Sequence, residues 1–124
     1  MPKILIVDDD PCIRILLKQS LEELEDEGVE LIITDNGESA LDIIKREIPD
    51  VVFLDVMMPK MNGFDVCNAV KNDPAISNVF IVLLTVMSQK VDKLRGKAAG
   101  ADIYITKPFN PDEVLDVTRK ILGM

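Results

Sequence analysis

Val51-Val52-Phe53-Leu54-Asp55 is four apolar residues in a row ending on a single acid. A half-buried strand alternates apolar with polar, so an unbroken run of this kind reads as a strand covered on both faces. Such strands belong to parallel sheets sandwiched between helices. Comparable runs, rich in β-branched residues, stand at 4–7, 29–34, 79–84 and 103–106. Between and after them, apolar residues fall at helical spacing. These sets are Ile13, Leu16, Leu17, Leu21 and Leu24; Ala40, Leu41, Ile44 and Ile48; Phe64, Val66, Cys67 and Val70; Val91, Leu94 and Ala98; Val114, Leu115, Thr118 and Leu122. The alternation predicts an α/β fold: a doubly wound (βα)5 three-layer sandwich on a parallel five-stranded sheet, joined by right-handed crossovers. Pro11 stands where a first helical residue belongs, Gly28 closes the first helix, and Asn62-Gly63 reads as a turn after the third strand.

The 124 residues make one domain, 1–124, large enough to bury a core without disulfides or a structural metal. No apolar run approaches the roughly 18 residues of a membrane helix. Met1-Pro2-Lys3 leads straight into the first strand, unlike a secretion signal, so the expected location is the cytoplasm, with no membrane contact. A net charge of −8, from 14 basic and 22 acidic residues, argues against direct nucleic-acid binding, which needs a basic surface. Cys12 and Cys67 lack metal or redox spacing and read as packing residues. The chain contains no histidine, so it holds no serine-histidine triad or histidine zinc site. Any phosphohistidine chemistry has to come from a partner.

In open α/β sheets, ligands bind beyond the carboxyl ends of the strands. There the sequence places Asp8-Asp9-Asp10, Asp55, Thr85 and Lys107-Pro108. Asp10 immediately precedes Pro11 and reads as a helix cap, leaving Asp8 and Asp9 for other work. Carboxylates about 5 Å apart repel by roughly 3 kcal/mol at an effective dielectric near 20, so the cluster calls for a cation. Oxygen ligands without histidine or thiolate favour a hard ion, and an incomplete carboxylate set that leaves room for water and phosphate suits Mg2+, with Mn2+ as a substitute. A metal beside a lysine and a threonine is also what a transferring phosphoryl group requires, and an aspartate can be its nucleophile. Singly, Asp55, Thr85 and Lys107 read as turn or surface residues. Their joint position at one sheet edge reverses that reading.

At this point the sequence resembles the response-regulator receiver family of two-component signalling over nearly its whole length. Ile4-Leu5-Ile6-Val7-Asp8-Asp9 is similar to the family's first strand with its acidic pair. Asp55-Val56-Met57-Met58-Pro59-Lys60-Met61-Asn62-Gly63 is similar to its D-x-x-M-P-x-M-x-G block, and Gly100 to Phe109 to its fifth-strand block. The resemblance implies a flavodoxin-like strand order of 2-1-3-4-5. It implies that Asp55 accepts the phosphoryl group, and that Asp9, Asp55 and the backbone carbonyl of Met57 ligate Mg2+, with Asp8 acting through metal-bound water. Thr85 and Lys107 would bind phosphoryl oxygens, Tyr104 would turn inward as Thr85 moves, and Lys107-Pro108 would be a cis peptide. The implied partners are a sensor histidine kinase or histidine phosphotransfer protein, and a downstream target or fused output domain. The only catalysis expected is metal-assisted self-phosphorylation and self-dephosphorylation.

Some residues depart from the family pattern. Val86 stands where Ala or Gly is usual and is expected to narrow access to Asp55. Met57 and Met87 occupy positions that influence hydrolysis of the acyl phosphate, and thioethers neither orient nor activate water. Ile15 falls opposite the core stripe of the first helix, where family kinases dock. Asp102-Ile103 differs from the Asp-Asp often found in DNA-binding regulators, which argues modestly against that subclass. An aspartate-nucleophile phosphatase would carry a second acid two residues after Asp55, where Met57 stands, and a flavin carrier would need a phosphate-cradling hydroxyl and glycine loop after the first strand.

Overall fold

Alternate residues of the central strands face opposite layers, and both layers are apolar. Leu5, Val7, Val52, Leu54, Ile81 and Leu83 belong to one buried cluster, while Ile4, Ile6, Val51, Phe53, Val82 and Leu84 belong to the other. The computed structural model describes residues 1–86 and 90–124. In it, β1 (Lys3–Val7), β2 (Glu30–Thr34), β3 (Val51–Asp55), β4 (Phe80–Thr85) and β5 (Ile103–Thr106) form one sheet. The order is β2-β1-β3-β4-β5 and every pairing is parallel. The expected architecture and strand order both hold.

The helices are α1 (Pro11–Ser20), α2 (Glu22–Asp26), α3 (Gly37–Glu47), α4 (Gly63–Lys71), α5 (Lys90–Ala99) and α6 (Pro111–Leu122). The first cluster takes in Ala40 and Ile44 of α3, Val66, Cys67 and Val70 of α4, and Ala99 of α5. The second takes in Leu17 of α1, Leu24 of α2 and Val114 of α6. A fully buried Leu or Ile contributes roughly 2 kcal/mol relative to an exposed one, so the sheet's double cover supplies most of the cohesion.

Three local readings are corrected. The first helix is divided at Leu21, whose N–H reaches back to Leu17 and Lys18, and a short second helix follows. Leu21 and Leu24 remain fully buried, which is why the apolar spacing concealed the break. Asn62-Gly63 is a helix start: the Asn62 side chain accepts the Asp65 N–H while Asp65 accepts the Asn62 N–H, a reciprocal cap. Leu94, read as part of a core stripe, is exposed on α5.

Helix starts crowd the carboxyl edge of the sheet. Asp10, Asn36, Asn62 and Asn110 each cap one by accepting a backbone N–H. Gly63 allows α4 to begin against the back of β3, since a Cβ there would lie 2.4 Å from the Asp55 carbonyl oxygen. Its N–H donates to the Val56 carbonyl, which fixes the loop that leaves Asp55.

Candidate functional site

Strand order decides which strand ends become neighbours. β1 and β3 are adjacent, so Asp8 and Asp55 emerge side by side; β4 then carries Thr85, and β5 leads into Lys107. The Lys107 N–H donates to the Thr85 carbonyl over 2.7 Å, tying the exits of β4 and β5 together. From there the lysine's four-carbon stem spans the β4 exit. Its Nζ donates to Asp8 Oδ2 at 2.7 Å and to Asp55 Oδ1 at 3.1 Å. The Lys107-Pro108 peptide is cis.

Both bridged carboxylates are buried, Asp8 at 0% exposure and Asp55 at 4%, whereas Asp9 is exposed. Asp8 Oδ1 accepts the Asp10 N–H at 2.9 Å, and the Asp8 carbonyl accepts Arg14 Nη1 at 2.7 Å. Asp55 Oδ1 also accepts the Met57 N–H at 3.2 Å. Burial first, and the neighbouring Asp8 charge second, push the Asp55 carboxyl up to about 6 against the opposing pull of Lys107 and the Met57 N–H. Lys107 is held above its ordinary value: burial works against its charge, but the bonds and charges of Asp8 and Asp55 outweigh it.

One carboxylate oxygen from each of Asp8, Asp9 and Asp55 lies within 4.8 Å of the others. Across that spacing two carboxylates repel by roughly 3 kcal/mol at an effective dielectric near 20. Three carboxylates against the single ammonium of Lys107 leave an excess of two negative charges among the described residues. The oxygen-only donor set and that excess fit a hard divalent cation.

The family pattern places other residues around this core. Thr85 is buried at the end of β4, paired with Thr106 of β5. Tyr104, half-buried, packs against the cluster beneath α3, α4 and α5, and burial raises its phenol. Met57 and Val86 are 62% and 60% exposed, so both leave apolar groups in solvent beside Asp55 and Thr85. Ile15 is 57% exposed on α1, as its spacing requires. Met87 lies outside the described residues.

Three contributors went unread in the sequence. Arg14 holds the Asp8 carbonyl, and its place one turn into α1 was the available signal. Asp102 accepts the Ile81 N–H at 2.8 Å and pairs with Lys71 at 2.9 Å, whose ammonium also donates to the carbonyls of Ser77 and Val79. Arg95 of α5 rests 4.5 Å from the centroid of the Phe64 ring and lines a cleft of about 520 Å³ with Met57 and Thr85. Asp102 falls within the fifth-strand block, but neither its contacts with Ile81 and Lys71 nor the seating of Arg95 on Phe64 has a local sequence signal.

The family model for the response regulator receiver domain matches residues 4–119. The chain belongs to that family. This receiver is 42% identical over 120 residues to the probable transcriptional regulator ycf27 of Porphyra purpurea, a match covering 97% of this chain and 47% of that protein. It is 40% identical over 120 residues to the alkaline phosphatase synthesis transcriptional regulatory protein PhoP of Bacillus subtilis (strain 168), covering 97% and 48% respectively. Among solved structures it resembles the signal receiver domain of a DNA binding response regulator protein from Colwellia psychrerythraea 34H, with a TM-score of 0.91, 31% identity and complete coverage of both chains. The chain spans about half the length of the curated relatives it matches. Several of them are named as transcriptional regulators, the class from which Asp102-Ile103 pointed away. A receiver of this kind is a phosphorylation-controlled signalling module of two-component systems, and not an enzyme of the classical type. Among the described residues, no helix is long and apolar enough to cross a membrane.

Proposed function

We propose that Asp55 accepts a phosphoryl group from a histidine kinase or histidine phosphotransfer protein, and that the resulting charge switches the surface formed by α5 and β5. The observation carrying this reading is the Lys107 ammonium shared between two buried carboxylates, Asp8 and Asp55. Buried carboxylates cost free energy and need a reason to stay close. A site that exchanges one cation's attention between a carboxylate and an incoming phosphoryl group supplies that reason.

Asp55 attacks phosphorus through a carboxylate oxygen, forming an acyl phosphate while the donor's nitrogen or oxygen leaves with the bonding pair. Lys107 moves its hydrogen bond from Asp55 to a phosphoryl oxygen, and Thr85 donates to another. Asp9, Asp55 and the Met57 carbonyl would hold Mg2+, with Asp8 acting through water, and the ion would supply neutralisation of charge on the phosphoryl oxygens. Phosphorylation adds about −1.5 to −2 charges, enough to draw Thr85 and Lys107 inward and to bias Tyr104 toward the space Thr85 leaves. Met57 and Met87 offer no group to activate water, so the acyl phosphate decays slowly. Ile15 on α1 contacts the donor protein. The output is a separate target or a domain continuous with this one, and the site of action is the cytoplasm.

The test is intact-mass measurement after incubation with Mg2+ and acetyl phosphate. A metal-dependent phosphoryl adduct absent from Asp55→Asn is expected. No adduct with any donor, or steady release of phosphate with rapid turnover, would overturn the reading.

A further inference from the structure

The cleft beside Thr85 has no part in the account above. It holds about 520 Å³ and is walled by Met57, Met58, Pro59 and Phe64 together with Thr85 and Arg95. Among the described residues that line it, Arg95 alone carries a charge. The guanidinium is held over the Phe64 ring, 4.5 Å from its centroid, and Phe64 is itself buried in the core. A cation stacked on an aromatic face keeps its in-plane N–H groups free to point along the cleft. The acceptor side of the same region is acidic, with Asp8, Asp9 and Asp55 clustered together. Met57, whose N–H donates to Asp55 Oδ1, lines the cleft together with Arg95, so the apolar lining joins the acidic cluster to a cation.

We infer that Arg95 determines which small phosphodonors this receiver uses, by pairing with the carboxylate that leaves when an acyl phosphate phosphorylates Asp55. The inference rests on Asp55 being the acceptor. In the step, an Asp55 oxygen bonds to phosphorus and the bond from phosphorus to the bridging oxygen breaks. That oxygen keeps the electron pair and departs as a carboxylate, with no proton required. Negative charge thus develops on the leaving group, and a guanidinium forming a planar fork matches a carboxylate. Phosphoramidate supplies the contrast. Its phosphorus–nitrogen bond breaks to release neutral ammonia from an already protonated nitrogen, so a nearby cation gives no advantage. The methionine and proline side chains give a small acyl group an apolar seat, and Asn62 and Thr85 also line the cleft.

The experiment compares rates of Asp55 phosphorylation from acetyl phosphate and from phosphoramidate, in the full chain with Mg2+, for the wild type, Arg95→Gln and Arg95→Lys. Arg95→Gln is expected to lower the ratio of acetyl phosphate rate to phosphoramidate rate by about two- to fivefold, the scale of a partly exposed ion pair. Added salt should lower the wild-type ratio and leave the Arg95→Gln ratio flat. Arg95→Lys should recover part of the ratio. An unchanged ratio in Arg95→Gln, or equal slowing with both donors, overturns the inference while leaving Asp55 as acceptor. Failure of the wild type to gain phosphate at Asp55 from either donor overturns the acceptor assignment, and this inference with it.

Discussion

Replacing Asp55 by Asn is expected to stabilise the metal-free protein at pH 7. The wild-type carboxyl titrates near 6 in the folded chain, against an ordinary value of 3.8, because it is buried and faces Asp8. A raised carboxyl value means that the folded state binds the proton more tightly than the unfolded state. Stability from this group is therefore present below about pH 4, falls as pH rises through the interval to about 6, and is absent at pH 7. The difference of about 2 pH units corresponds to roughly 3 kcal/mol. Asn copies the shape of the protonated acid, and its carbonyl oxygen can still accept the Met57 N–H that Asp55 Oδ1 accepts. Lys107 retains Asp8 as its partner.

The assay is urea unfolding of both proteins from pH 4 to pH 7.5 in the presence of a chelator. The surface ion pairs Lys3 with Glu47, both half-buried, and Arg119 with Glu27 contribute with the opposite sign, since those glutamates titrate below their ordinary values and lose their stabilisation in acid. They cancel in the difference between the two proteins. The gap should be near zero at pH 4 and grow to between about 1 and 3 kcal/mol at pH 7, with the upper end raising the melting temperature by roughly 10 °C. Saturating Mg2+ should narrow it, as ligand at about 100 times its dissociation constant adds nearly 3 kcal/mol to the protein that binds it. An Asp55→Asn protein no more stable at pH 7, or a gap independent of pH, would refute the electrostatic reasoning.

Further expectations follow from other contacts. Asp102→Ala removes the acceptor of the Ile81 N–H and leaves Lys71 without its carboxylate, at a cost of about 1–3 kcal/mol in urea unfolding; a loss below about 0.5 kcal/mol would make the contact incidental. Gly63→Ala places a methyl against the Asp55 carbonyl, and about 1–3 kcal/mol of destabilisation should accompany slower phosphorylation; unchanged stability would mean that α4 can move aside. Val86→Ala should be phosphorylated faster than the wild type by acetyl phosphate, and because Val86 is largely exposed the gain should stay below about tenfold, or 1.4 kcal/mol of barrier. Equal or slower rates would count against a gating role. Ile15→Ala should lower phosphotransfer from the donor protein by about 1–3 kcal/mol of transition-state binding while sparing acetyl phosphate; loss of both activities would indicate misfolding.

Much of this protein is legible without coordinates because strand burial and chemistry are both local in the chain. Five apolar runs, each followed by a helical pattern, specify a covered parallel sheet, and the first residues after those runs fall at its reactive edge. Asp8, Asp9, Asp55, Thr85 and Lys107 could be picked out for that reason. Patterns of spacing were blind to geometry inside a stripe: Leu21 and Leu24 keep their apolar register across a helix break, and Leu94 keeps helical spacing while facing solvent. Asn62-Gly63 is ambiguous in sequence because the same pair serves a turn and a helix cap, and only the reciprocal bonds with Asp65 distinguish them.

What the sequence determined by itself was the inventory: which acids, hydroxyl and ammonium reach the sheet's carboxyl edge. What the tertiary structure decided was their pairing. Lys107 is 99 residues from Asp8 and 52 from Asp55, yet its ammonium bridges both, because the parallel order brings β1, β3, β4 and β5 into succession. The raised Asp55 carboxyl, the Lys71 and Asp102 clasp and the seating of Arg95 on Phe64 have the same origin. Desolvation and Coulomb energy depend on distance through space, and no local pattern in a chain encodes that distance.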